Sequence, residues 1–172
     1  ARQLSVVPES WSLEVRYAPD ETKELVRDWL GSGVSLALQG EGDLGERMYR
    51  ALSETFGEFG PEKAIVLGAD CPSVDRDLLL EAEKRLDAAD IVIGPSLDGG
   101  YYLIGMNVAH EALFRGISWS SGSVYEVTMD RIRDLALSVA VLETREDIDD
   151  FESLRSQRDF IDPNVWAEIG VE

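Results

Sequence analysis

The chain is poor in the residues that carry redox and nucleophilic chemistry: it has one cysteine and one histidine in 172 residues. With Cys71 alone, no internal disulfide can form. A cysteine nucleophile needs a base, and His110 lies far along the chain in a polar stretch, so Cys71 reads as a packed thiol. His110 reads as a surface residue, because a lone histidine gives no ligand or triad spacing. Bases are also scarce, 16 lysines and arginines against 34 acids. At a formal charge of −18 a nucleic-acid backbone would meet repulsion, which excludes a polynucleotide partner. Long apolar runs are absent, and the N-terminus lacks the charged and apolar regions of a secretory signal. These absences predict a soluble, cytoplasmic protein without a membrane partner. Methionine does not stand first: Ala1 does, which suggests a processed, truncated or partly recorded chain.

What the chain has is a 44% hydrophobic fraction, enough for one compact domain over residues 1–172. Strand and helix patterns alternate along it. Leu13 to Tyr17 predicts a strand, and Pro19 and Asp20 open a helix to about Leu30, with Leu25, Val26, Trp29 and Leu30 on one inward face. Val34 to Leu38 predicts a second strand. QGEGDLGERM then turns into a helix whose Leu44, Met48, Leu52 and Phe56 form a core stripe. Ala64 to Gly68 is a continuous apolar run, as expected of a central strand covered on both faces. Ser73 or Asp75 caps the next helix, which runs to about Ala88.

Ile91 to Gly94 and Tyr101 to Met106 are strands joined by PSLDGG, a connection too short for a parallel crossover, so this pair is antiparallel. Tyr101 and Tyr102 alternate across their strand, and at most one faces a site. A helix from Ser121 or Ser123 to about Leu135, a strand at Ser138 to Leu142 and a helix from Asp150 to about Phe160 complete the pattern. The sum is a three-layer α/β/α domain with a mixed, mostly parallel sheet. Ligands in such sheets sit beyond the carboxyl ends of the strands.

Acids fall at those ends: Asp70, Asp98, and the group Asp147, Asp149 and Asp150. Carboxylates are hard oxygen ligands suited to Mg2+ or Mn2+, and an ion that also holds phosphates needs only one or two of them. Asp70 with one acid of the late group would suffice; equally, each acid suits a helix cap. The glycines of QGEGDLGE and LDGGYY let the backbone approach a ligand, or simply make turns. Neither matches a phosphate-binding loop with its lysine or a dinucleotide fingerprint.

Five segments in order, GDLGERM, LGADCP, GPSLDGGYYLIGM, GISWSSGSVYEVT and DIDDFESL, resemble a little-characterised group of glycosyltransferases in the GT-A nucleotide-diphospho-sugar transferase superfamily. Some members are assigned to arsenosugar biosynthesis. More distantly, the order is similar to the guanylyltransferases that activate phospholactate or molybdenum cofactor. The resemblance spans roughly Leu13 to Leu154. It implies that Gln39, Gly42, Leu44 and Gly45 read the base and ribose of a nucleotide, and that Asp70 binds metal. It further implies that Asp98, Gly99, Gly100 and Tyr101 face the sugar or acceptor under a loop containing Trp119 and Ser120, and that Asp147 and Asp149 supply the second metal ligand.

Two departures stand out. Asp150 and Phe151 replace a Thr-Pro pair, which would alter the start of the last helix. Nothing matches the relatives' first strand and basic phosphate loop, so the domain is expected to be N-terminally incomplete relative to them. The reading that follows is a metal-dependent glycosyltransferase taking a nucleotide sugar and a small-molecule acceptor, with Asp98 removing the acceptor's proton. Nucleotidyl transfer with pyrophosphate release is the alternative, and a noncatalytic domain a third.

Overall fold

The computed structural model describes residues 2–57, 60–163 and 166. Of the single domain expected over residues 1–172, the remaining positions lie outside the described residues. Helix α1 (Arg2–Val6) leads to strand β1 (Glu14–Tyr17), helix α2 (Lys23–Leu30), strand β2 (Ser35–Leu38) and helix α3 (Leu44–Phe56). Then come β3 (Ala64–Leu67), α4 (Arg76–Arg85), β4 (Ile91–Pro95), β5 (Tyr101–Met106), α5 (Val124–Asp134), β6 (Val139–Val141) and α6 (Phe151–Ser156).

Local chemistry explains the boundaries. Asp43 starts α3 with a reciprocal capping box, accepting from Glu46 N–H at 2.9 Å while its own N–H donates to the Glu46 carboxylate. Asp75 caps α4 by accepting from Leu78 N–H. Asp150 caps α6 in the same manner through Ser153, so the acid that replaces Thr in the late motif still begins the helix at Phe151. Of the expected serine caps for α5, Ser123 occupies the cap position without a side-chain bond to the helix backbone, its hydroxyl meeting Ser121 Oγ at 3.1 Å.

Among the described residues the strands form two sheets where one was expected. β1 and β2 pair in parallel. The other sheet runs β3-β5-β4-β6, with β5 antiparallel to both neighbours and β4 parallel to β6. The short PSLDGG hairpin thus enforces the reversal that its length dictates. β3, expected at the centre, is an edge strand of its sheet among the described residues.

Helices cover both faces of the larger sheet. On one face, α1 and α4 pack through Val6, Leu78, Leu79 and Ala82 onto Ile65, Leu67, Val92 and Leu103. On the other, α3 and α5 bring Met48, Leu52, Phe56 and Ile132 onto Ala64, Val66, Ile91, Ile104 and Met106. Ile91, Ile104 and Met106 are wholly buried, each contributing about 1.5–3 kcal/mol of transfer free energy. The expected α2 face is divided. Val26 and Leu30 are half-buried, whereas Leu25 and Trp29, one turn apart, are 70% and 71% exposed. Leu44, expected in the core stripe, is also largely exposed at the first turn of α3. Cys71 is fully buried, as read from its sequence, and His110 is half-buried.

Candidate functional site

Three segments converge beyond the strand ends of the larger sheet. The first is the β4–β5 hairpin, closed by Ser96 N–H donating to Gly100 O and Gly99 N–H to Ser96 O. Asp98 sits at its tip, where Oδ1 accepts from Ser96 Oγ and, at 2.8 Å, from Gly100 N–H. The second is the stretch after β6. Arg145 there forms an isolated parallel bridge with Ser96, its N–H donating to Pro95 O and its carbonyl accepting from Leu97 N–H, both at 3.0 Å. The third is the Asp70–Ser73 loop: Ile148 N–H donates to Asp70 O at 2.9 Å, and Arg145 Nη1 donates to Ser73 O at the same distance. The Arg145 guanidinium also pairs with Glu143.

This bracing brings Asp98, Asp147 and Asp149 together, one carboxylate oxygen of each lying within 4.8 Å of the others. Asp147 is half-buried, and its carboxyl is held above the usual range first by burial and then by the charges of Asp98, Asp149 and Asp70. Asp70 is thus near enough for its charge to act on Asp147, yet it stands outside the close trio. Among the described residues none of these four acids forms an ion pair. Unneutralised, hard oxygen donors at this spacing suit Mg2+ or Mn2+. Asp150, by contrast, is engaged in capping.

The residues implied for the acceptor side assemble around the same hairpin. Gly99 packs so closely on Gly122 that a Cβ there would strike its backbone, and Gly99 O accepts from Tyr125 N–H at 2.8 Å. That contact seats the loop carrying Trp119 and Ser120 over the hairpin. Ser120 has a left-handed backbone, φ 63°, a conformation sparsely populated by residues other than glycine. Trp119 lies edge-on to Tyr101, ring centroids 6.4 Å apart, and its Nε1–H is buried without a hydrogen-bond partner among the described residues. Both tyrosines turn inward. Tyr101 packs with the α3–α5 core, its phenol pushed above its ordinary pKa by burial. Tyr102 packs with the α4 side, donates to Glu143 O at 3.0 Å, and is pushed up to about 12, mainly by burial.

The segment implied to read the nucleoside follows β2. Gln39 is anchored at both ends of its carboxamide, Nε2 donating to Arg16 O and Oε1 accepting from Arg47. Gly45, buried in the first turn of α3, is where the two candidate loops touch: an added Cβ would collide with Phe114 O and lie 2.6 Å from Trp119 Cζ2. A cavity of about 530 Å³ opens along this helix between Tyr49, Arg50 and the Phe114–Gly116 turn, away from the acidic trio. Sequence reasoning missed Arg47, Arg50, Ser96 and Arg145. Only the two-residue spacing of Arg145 from Asp147 hinted at a joint role.

Comparison with solved structures gives a fold match over most of the chain. A crystal structure from Desulfovibrio desulfuricans G20 bearing the name "putative nucleotide-diphospho-sugar transferase" superposes with a TM-score of 0.82 at 28% identity, covering 92% of this chain and 80% of that one. The architecture is accordingly the GT-A-like α/β/α type. None of the curated proteins matches the chain. Residues 6–121 match the family described as "Uncharacterized protein conserved in bacteria (DUF2064)", and the chain belongs to that family.

Proposed function

We propose that this chain is a transferase acting on a nucleoside diphosphate sugar, with a divalent cation held by Asp147, Asp149 and Asp98. The observation that carries the reading is the acidic trio, gathered without an ion-pair partner among the described residues at the strand ends of a fold shared with the structure named "putative nucleotide-diphospho-sugar transferase". In so acidic a chain a departing diphosphate would meet net repulsion. A bound Mg2+ or Mn2+ supplies the positive charge that offsets it.

The chain's own residues divide the remaining work. The Gln39–Gly45 loop holds the nucleoside beside the start of α3. Asp147 and Asp149 face the diphosphate, and Asp98 joins them from the hairpin, so we assign its carboxylate to the cation and not to the acceptor's proton. Asp70 acts on the site through its charge on Asp147. Gly99, Gly100 and Ser120 border the acceptor side, and Trp119 fixes that border to α3 through Gly45. The acceptor is a small molecule.

The test is product analysis with nucleotide sugars and Mn2+. Release of a nucleoside diphosphate supports sugar transfer, whereas pyrophosphate released from a nucleoside triphosphate would move the reaction to nucleotidyl transfer. For the ligand assignment, Asp98→Asn is expected to weaken Mn2+ binding more than Asp70→Asn; the reverse order would return Asp70 to the cation and Asp98 to the acceptor.

A further inference from the structure

In a chain with 34 acids and 16 bases, two arginines of α3 spend their guanidinium groups on neutral oxygens of a single loop. Arg50 donates from Nη1 to Gln39 O at 2.6 Å and from Nη2 to Glu41 O at 2.7 Å. Arg47 donates from Nε to Gly42 O at 3.0 Å and from Nη1 to Gln39 Oε1 at 3.2 Å. Gln39 is tied on its other side to β1, through its N–H to Tyr17 O and its Nε2 to Arg16 O. Residues 39–42 are therefore held by a helix on one side and a strand on the other.

The direction of these bonds matters more than their number. A trans peptide sets its C=O and N–H on opposite sides. Carbonyls of Gln39, Glu41 and Gly42 drawn toward the arginines turn the N–H groups of Gly40, Gly42 and Asp43 away from them. The Asp43 N–H is taken by Glu46. Those of Gly40 and Gly42, both exposed and at φ +77° and +102°, turn to the side opposite the arginines, with the Glu46 carboxylate standing beside Gly42.

We propose that Arg47 and Arg50 are positioning residues of the nucleoside loop, presenting the Gly40 and Gly42 amides to the base. They thereby select a base with a carbonyl oxygen at the position facing the loop, C4 of uracil or C6 of guanine, over cytosine or adenine, which carry an amino group at that position. The base selection rests on the nucleotide reading above; the hold of the arginines on the loop does not. An amino group facing two amide donors would leave all of them unpaired, and a site built for one hydrogen-bonding pattern rejects a ligand lacking it.

The experiment compares the wild type, Arg50→Lys, Arg50→Ala and Arg47→Ala/Arg50→Ala by two measurements. Backbone 15N relaxation reports the order of residues 40–43, and calorimetry in Mn2+ reports affinity for UDP, GDP, ADP and CDP. The wild-type loop is expected to be rigid, with order parameters of about 0.85, falling below about 0.6 in the double variant. UDP or GDP is expected to bind at least about tenfold tighter than ADP and CDP, a ratio that collapses to about twofold in the double variant and is partly restored in Arg50→Lys, with affinity for Mn2+ alone unchanged. Arg50→Lys, which keeps the charge and some of the bonds, carries the comparison if the alanine variants do not fold. A rigid loop in the variants, or an unaltered base preference, overturns the proposal. If the wild type binds none of the four nucleotides, the proposed function and the base selection fall together, while the relaxation data still decide whether the arginines hold the loop.

Discussion

Asp147 is the residue on which the account bears most heavily. Burial and three neighbouring carboxylates raise its pKa, so in the metal-free protein its charge opposes folding at neutral pH. Asp147→Asn is therefore expected to raise the melting temperature of the protein in EDTA by about 1–3 °C, while weakening Mn2+ binding by about tenfold or more. Thermal melts and calorimetry on the same preparations check the opposing signs. Gly45→Ala is expected to cost about 1–3 kcal/mol in urea unfolding, because the methyl must displace Phe114 O or the Trp119 ring. At this scale the acids were legible because strand ends can be read from apolar runs. Their grouping was not: the pattern placed Asp70 at a strand end but could not give its separation from Asp147, or reveal that Asp98 closes the trio. The arginines escaped notice because their long side chains reach partners eight, eleven and seventy-two positions away, beyond any local spacing.

Among the elements, β4 and β6 are joined at their entrances by one acid. Asp90 accepts from Ser138 N–H at 2.8 Å and from Ser138 Oγ at 2.6 Å, and these bonds hold its carboxyl below the ordinary value. A lowered folded-state pKa gives stability that is full above the unfolded value, about 3.9, and lost as pH falls through the folded one. The stability difference between wild type and Asp90→Asn in urea unfolding is expected to be constant from pH 6 to 8 and to shrink below about pH 4. A difference that grew with acidity would contradict the assignment. The elements themselves were largely legible: periodicity and caps found α3, β4 and β5 nearly to the residue, and α4 with its end placed at about Ala88 instead of Arg85. Periodicity reports the faces of an element and is silent about its edges. β3 has both faces covered, as its apolar run required, yet one of its edges pairs with nothing among the described residues. For the same reason the stripe on α2 showed an amphipathic helix without showing which part of it the fold would cover.

Across the whole molecule, two facts shape the chemistry open to it. Its charge of −18 repels phosphate, and its fold assembles acids from the hairpin and from the stretch after β6 at one rim of the sheet. Among the described residues no helix is long and apolar enough to cross a membrane. A polyanionic donor can dwell at such a rim only when a cation lies between it and the carboxylates. The measurement that tests this most directly is calorimetric titration of UDP and GDP into the wild type, once with Mn2+ and once with EDTA, repeated on Asp149→Asn. The account predicts saturable binding with Mn2+ that weakens about tenfold or more in EDTA and in the variant. Equal affinity in Mn2+ and EDTA, or a metal dependence untouched by Asp149→Asn, would contradict it.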